Sequence, residues 1–325
     1  MAGLAGAAIT PVARADDPPR VVTYIALGDS YTAAPLISKP AGTPGGSLGF
    51  NGDSNPYTCG QSTANYPRLI ARWLGLYSPT DDVSELGLAP AHPQFTDISC
   101  GSAQTKHMTE TQAISYGGSN PPQFSAFDDI DNDAVTLVTI GIGGNDVGFG
   151  DLQSECVEKP NAPGGHPCSE NHELAAKVDA AMNKLAADLP VVLNRIHGLA
   201  PNAQVLVFGY PALLPDKPLV AGLPEGCWPY IPIVPADVPS LVELEARLNR
   251  IIEAAASTND AHYVDWYTPS LGHDMCRPPG QAWVNGIVLA PPSFPVHPNV
   301  LGSEGAARAA IAVLETLGFT RADQI

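Results

Sequence analysis

The sequence predicts an α/β protein built on a parallel sheet of five strands, and three observations carry that reading. Short, nearly continuous apolar runs rich in β-branched residues recur along the chain, as in strands covered on both faces. Segments with the 3.6-residue apolar period of amphipathic helices lie between them. Such alternation closes into a parallel sheet through right-handed crossovers, and the functional edge then lies beyond the carboxyl ends of the strands.

Residues 21–27 (Val-Val-Thr-Tyr-Ile-Ala-Leu) are the clearest strand. Residues 64–74 fit a helix, and residues 95–99 a weaker strand. Residues 134–140 form the second clear strand. Leu174, Val178, Leu185, Leu189, Val192 and Ile196 then mark one stripe of a long helix, which Pro190 is expected to kink or divide because it lacks an N–H. A strand at 204–208 follows, and Leu241, Leu244, Leu248, Ile251 and Ala255 make the next helical stripe. Residues 262–264 are a weaker strand, and the helix at 304–317 is closed by Gly318 at its C′ position. The long connections 31–63, 146–170 and 211–239 all follow strands, so they should crowd the carboxyl edge as walls of a cleft. In the third, the apolar Trp228, Tyr230, Ile231 and Ile233 suit a packed loop better than a linker.

The 325 residues include 16 Lys plus Arg against 33 Asp plus Glu, a formal net charge of −17. No basic stripe exists to release counterions from a polyanion, which excludes a nucleic-acid partner. With 44% hydrophobic and only 15% charged residues the chain can bury a sizeable core, which excludes general disorder. The 33 Pro and 31 Gly predict extensive loops. Residues 1–15 end in Ala13-Arg14-Ala15, a small-x-small site that fits the end of a secretory signal peptide, although no Lys or Arg precedes its apolar run. On that reading residues 16–325 are one secreted, monomeric domain. No other stretch approaches the ~18 apolar residues of a membrane span, so stable membrane insertion is not expected.

Cys59, Cys100, Cys156, Cys168, Cys227 and Cys276 form an even set with no Cys-x-x-Cys pair. Zinc spacing is absent, and disulfides are the default for an exported chain. The residues alone do not choose among the connectivities. Pairing in sequence order would staple one Pro/Gly-rich loop per bridge, each closure contributing roughly 2–4 kcal/mol.

Two serines sit among glycines and imply different folds. Gly45-Gly46-Ser47-Leu48-Gly49 matches the nucleophile elbow of α/β-hydrolases, but that elbow needs a strand before it and a helix after it, and here both flanks are loop. Gly28-Asp29-Ser30 instead follows the strongest strand, where glycine permits a tight turn and the serine can present both Oγ and its N–H. Standing alone it would read as a turn with a capping serine. Three further groups fall at the same edge. Asn145, in Gly143-Gly144-Asn145-Asp146, can supply an oxyanion donor after its strand; Cys100-Gly101-Ser102-Ala103 offers a backbone N–H; and His297, before the last helix, offers a general base.

This constellation resembles the SGNH, or GDSL-type, hydrolase family. Gly28-Asp29-Ser30-Tyr31 looks like its first block, Cys100 to Ala103 its second, Gly143 to Asp146 its third and His297-Pro298 its fifth. Gly272-His273-Asp274-Met275-Cys276 and Trp283-Val284-Asn285-Gly286 look like the secreted actinobacterial branch of esterases, lipases and phospholipases. The resemblance implies a flavodoxin-like three-layer α/β/α fold and three disulfides paired in sequence order. It also implies Ser30 as nucleophile and His297 as base, with an oxyanion hole from the Ser30 N–H, a second-block N–H and the Asn145 side chain. No cofactor and no metal are implied, and the substrate would be a small-molecule or lipid ester.

Two departures matter. The second block usually reads Cys-Ser-Gly-Ala, so Ser102 stands where the glycine would be, and Gly101 remains the alternative donor. The position three residues before His297, often Asp in the family, is Phe294. A main-chain carbonyl within residues 293–295 is therefore expected to orient the imidazole, with Asp274 or Asp265 as the carboxylate alternative. Leu36, Ile37, Phe149 and residues 228–233 are candidates for an acyl wall. Activity is expected to fall below roughly pH 6.5, the unperturbed imidazole value. The rival readings are a carbohydrate deacetylase of the same fold and a secreted carbohydrate-binding domain without turnover.

Overall fold

The computed structural model of the protein describes residues 22–37, 59–77, 94–114, 118–128, 130–158, 166–216, 227, 229–287 and 293–322. Residues 1–15, read above as the end of a signal peptide, the Gly45 to Gly49 motif and Trp228 lie outside them. Five parallel strands form the central sheet: β1 (Tyr24–Gly28), β2 (Phe95–Asp97), β5 (Leu137–Gly141), β6 (Gln204–Phe208) and β7 (His262–Val264), in the order β2-β1-β5-β6-β7. Two short strands, β3 (Gln112–Ala113) and β4 (Ser119–Asn120), pair as a separate antiparallel ribbon. Every residue of β1 and β5 is buried, as their unbroken apolar runs require.

Strand boundaries move where a side chain intervenes. Asp131 accepts the Asp133 N–H and caps a short turn, so β5 starts only at Leu137. β2 stops at Asp97, whose carboxylate accepts the Ser99 N–H and hydroxyl and pairs with Arg68.

Side-chain caps likewise set the helix starts. Asn65 accepts the Arg68 N–H at 3.2 Å and starts α2 (Tyr66–Trp73) after α1 (Ser30–Ala33). Beyond the short α3 (Phe149–Gln153), Asn171 caps α4 (His172–Leu199). α4 runs undivided through Pro190, which deprives only the Ala186 carbonyl of its donor, and Ala186 is exposed to water. α5 (Val238–Thr258) and the short α6 (Tyr267–Ser270) follow. Asn299 then caps α7 (Val300–Thr316) at the Gly302 N–H, starting it directly after His297-Pro298. Gly318, at φ 84°, ends α7 in a Schellman motif, with its N–H on Glu315 O and that of Phe319 on Leu314 O.

Helices cover both faces of the sheet: α2 packs with α7, and α4 with α5. The end of β6 shows both layers at once. Phe208 stacks on Tyr66 of α2 at 4.1 Å, while a Cβ on the next residue, Gly209, would meet Asn249 of α5 and Tyr263. A main apolar core runs from Tyr24 to Phe319, and a smaller cluster, including Val157, Leu214, Ile231, Met275 and Val284, lies apart from it. Cys59–Cys100, Cys156–Cys168 and Cys227–Cys276 are bonded, the sequence-order pairing. The chain passes from β1 out to β2 and back across to β5, so the order reverses between β1 and β5, where Gly28 pairs with Gly141. That reversal opens the crevice in which sheets of this kind bind ligands.

Candidate active site

The first turn of the site is built on Gly28. Its φ of 152° suits glycine, and a Cβ there would stand 2.1 Å from Thr32 Oγ1. The Gln123 amide clamps the same residue, accepting its N–H and donating to its carbonyl, each at 2.8 Å. Asp29, fully buried, caps α1 by accepting the Tyr31 N–H at 2.9 Å, and Ser30 is thereby the first helical residue.

His297 meets it from the other end of the chain. Nε2 lies 2.8 Å from Ser30 Oγ, and Nδ1 lies 2.8 Å from the Pro295 carbonyl. A carbonyl can only accept, so Nδ1 carries the proton and Nε2 is free to accept from the serine. The reach from Pro295 O back to its own second neighbour depends on Val296, a β-branched residue at φ 59°. Such strain costs on the order of 1–3 kcal/mol and needs offsetting contacts. Three are present: Tyr31 Oη donates to Val296 O at 2.7 Å, Val296 N–H to Asn285 O at 2.8 Å, and Asn285 N–H to His297 O at 3.0 Å. Neither aspartate proposed as an alternative reaches the ring. Asp274 accepts the Cys276 N–H and pairs with Arg277, and Asp265 accepts the Thr268 N–H.

Aromatic rings enclose the imidazole. Tyr31 and Phe294 have centroids 5.1 Å away and Phe149 6.2 Å, and His297 is buried. Burial lowers its pKa to about 4, against the smaller upward pull of the Pro295 carbonyl. The expected loss of base near pH 6.5 is thus corrected to one near pH 4. The unperturbed value assumes a solvated imidazole, and the aromatic shell removes that solvation.

The second and third blocks are stitched together. Asn145 Nδ2 donates to Ala103 O at 3.0 Å, and Gln104 Nε2 to Asn145 O at 2.9 Å. The Asp146 carboxylate accepts both the Thr105 N–H and its hydroxyl. The Gly101 N–H is committed to Cys59 O at 2.8 Å, beside the Cys59–Cys100 bridge. Ser102 adopts φ 63°, and its N–H has no acceptor among the described residues. Block two also lies against Ser30, since a Cβ on Gly101 would be 4.0 Å from Ser30 Cβ.

Tyr210 was not singled out from the sequence. Its Oη accepts the Gly144 N–H at 2.8 Å and donates to Asp29, joining the third block to the first. Burial raises the Asp29 pKa to about 7, with the Tyr210 and Tyr31 hydrogen bonds opposing the shift. Applying the strand-end rule to 204–208 as well would have pointed to Gly209-Tyr210.

An apolar cleft opens beside Ser30 and Asn145. Of the candidates for an acyl wall, Phe149, Ile231 and Ile233 line it; Leu36, Ile37 and Tyr230 do not. Left-handed Ala34 and Leu36 turn the chain after α1 towards the His297 loop, where Pro35 O accepts the Phe294 N–H. Leu241, Leu244 and Leu248 of α5 also line it. Among the described residues, no cluster of three His, Cys, Asp or Glu could hold a metal, and no helix is long and apolar enough to cross a membrane.

The model of the GDSL-like lipase/acylhydrolase family matches residues 26–304. Lipase 2 of Streptomyces coelicolor is 33% identical over 90% of this chain and 85% of its own. An esterase of Streptomyces scabiei is 31% identical over 84% and 77%. In fold, the chain is similar to the crystal structure of an extracellular lipase from Streptomyces rimosus, with a TM-score of 0.60 at 24% identity over 90% of this chain and 99% of that one. It is similar too to a phospholipase A1 from Streptomyces albidoflavus, with a TM-score of 0.59 at 21% identity over the same shares.

Proposed function

Since the chain belongs to the GDSL-like lipase/acylhydrolase family and is a hydrolase acting on esters, we propose that it cleaves carboxylic esters of acyl and lipid type through a covalent acyl-enzyme on Ser30. The observation that carries this reading is the pair of 2.8 Å contacts at His297, one to Ser30 Oγ and one to the Pro295 carbonyl. His297 Nε2 takes the serine proton as Oγ attacks the ester carbonyl. The tetrahedral oxyanion is held by the N–H groups of Ser30 and Ser102 and by the Asn145 amide; Gly101 is set aside because its N–H already has an acceptor. The imidazolium then returns the proton to the leaving alcohol as the C–O bond breaks. Water, deprotonated by the same nitrogen, attacks the acyl carbonyl, and the imidazolium returns that proton to Oγ as the acyl C–O bond breaks, releasing the acid and free Ser30.

Pro295 O keeps Nδ1 protonated and the ring aligned, a dyad in which a carbonyl does part of what a carboxylate does in a triad. The apolar cleft supports an acyl chain as the bound group and offers a sugar little to hydrogen-bond. Three disulfides support a site of action outside the reducing cytosol, in keeping with the leader reading of residues 1–15.

A fluorophosphonate probe tests the mechanism. We expect one stoichiometric adduct on Ser30, lost in Ser30→Ala together with ester turnover. Turnover persisting in folded Ser30→Ala would falsify the nucleophile assignment.

A further inference from the structure

The wall that α5 contributes to the cleft carries a group the acyl-transfer cycle leaves unused. Leu241, Leu244, Glu245 and Leu248 line the cleft at the i, i+3, i+4, i+7 spacing of one helical stripe. Leucine suits every position of such a stripe if the occupant is a plain hydrocarbon, yet the third is an acid. Glu245 is 6% exposed, and its two oxygens share a single donor, the Leu213 N–H, 3.1 Å from each. No Lys or Arg pairs with it among the described residues.

Burial pushes its carboxyl well above the ordinary range, against the opposing Leu213 hydrogen bond, and the charge of Asp274 pushes further the same way, which favours the neutral acid. A neutral carboxyl has an O–H to donate as well as lone pairs to offer, and the Leu213 N–H uses only the latter. The cleft wall therefore presents an unspent donor amid leucines. An alkyl chain bound there would leave that donor without an acceptor. A chain with an oxygen at the matching depth would satisfy it.

We propose that Glu245 selects the substrate: the cleft prefers acyl chains bearing a hydroxyl part-way along their length over plain chains of equal length. This rests on the reading of the cleft as the acyl site of Ser30. Leaving a buried hydrogen-bonding group unmatched typically weakens binding roughly ten- to a hundredfold, which sets the scale of the preference. A purely structural Glu245, needed only to accept the Leu213 N–H, would show no dependence on the substrate's oxygen.

The test is kcat/KM on matched chromogenic esters, either plain or with one hydroxyl moved carbon by carbon along the acyl chain, for the wild type, Glu245→Gln and Glu245→Leu. The wild type is expected to favour one or two neighbouring hydroxyl positions by roughly ten- to a hundredfold. Glu245→Gln, which keeps an acceptor for Leu213 and a donor for the substrate, should retain part of that ratio, and Glu245→Leu should bring it towards one. A wild type with no positional preference, or one undiminished in Glu245→Leu, overturns the proposal while plain-ester turnover keeps the acyl-transfer reading intact. Absence of turnover on every ester, with no Ser30 adduct, would instead sink that reading. Should Glu245→Leu not fold, the wild-type series decides: a preference confined to neighbouring carbons supports the proposal, and none, or one indifferent to position, overturns it.

Discussion

At the scale of single residues, the site is governed by how far it is withdrawn from water. His297 is kept neutral down to about pH 4, so the acid limb of kcat/KM is expected to inflect near pH 4, and a pH–rate profile measures it directly. Phe294 contributes to that burial with its ring 5.1 Å from the imidazole. Phe294→Asp admits water and adds a negative charge that favours the imidazolium, so the limb should move to higher pH; an unmoved limb would show that Phe294 does not set it. Tyr210 yields a second prediction. Tyr210→Phe leaves a buried Asp29 oxygen and the Gly144 N–H each without a partner, at about 1–3 kcal/mol per group. Denaturant unfolding should register that loss, and kcat should fall more than KM rises, because Gly144 adjoins Asn145. These two residues also mark the limit of what a sequence reader sees. Asp29 and Tyr210 are 181 positions apart, and no spacing rule couples them. That Pro295, among the three candidate carbonyls, faces Nδ1 depends on a left-handed Val296, a conformation that valine itself disfavours.

At the scale of elements, legibility follows burial. β1, β5 and β6 were readable because strands covered by helices on both faces must be almost wholly apolar, and the stripes of α4 and α5 because one face of each is buried. The boundaries were less readable because polar side chains decide them: Asn65 and Asn299 set where α2 and α7 begin. The cap on α7 matters most, since it fixes the point at which the chain leaves the His297 loop. Among the loops, the Cys59–Cys100 bridge has the most specific consequence. It holds Cys59 where its carbonyl takes the Gly101 N–H, which leaves the next N–H, that of Ser102, as the donor of the proposed oxyanion hole. Replacing both cysteines by Ala should cost roughly 2–4 kcal/mol of stability and should lower kcat in the remaining folded enzyme. Steady-state kinetics well below the shifted melting temperature separates the two effects, and an unchanged kcat there would confine the bridge to stability.

At the scale of the whole molecule, two buried groups oppose each other in the pH dependence of folding. Asp29, raised to about 7, contributes stability that is fully present below the ordinary carboxyl value of 3.8 and is lost as pH rises through 7. His297, lowered to about 4, contributes stability that is present above 6.5 and is lost as pH falls through 4. Between roughly pH 4 and 6.5 the two slopes run in opposite directions and largely cancel. His297→Ala removes one of them, so relative to the wild type this variant should gain roughly 3 kcal/mol between pH 6.5 and pH 4, read from urea midpoints across that range. A gap that stays constant with pH would contradict the buried, neutral imidazole. The span of the Ser30–His297 contact has a consequence of another kind. Its partners lie 267 residues apart, one opening the first helix and the other just ahead of the last. During synthesis Ser30, the proposed nucleophile, emerges early and waits without its base until almost the entire chain has been made and α7 has docked. On the proposed mechanism, hydrolysis therefore begins only once the last helix is in place.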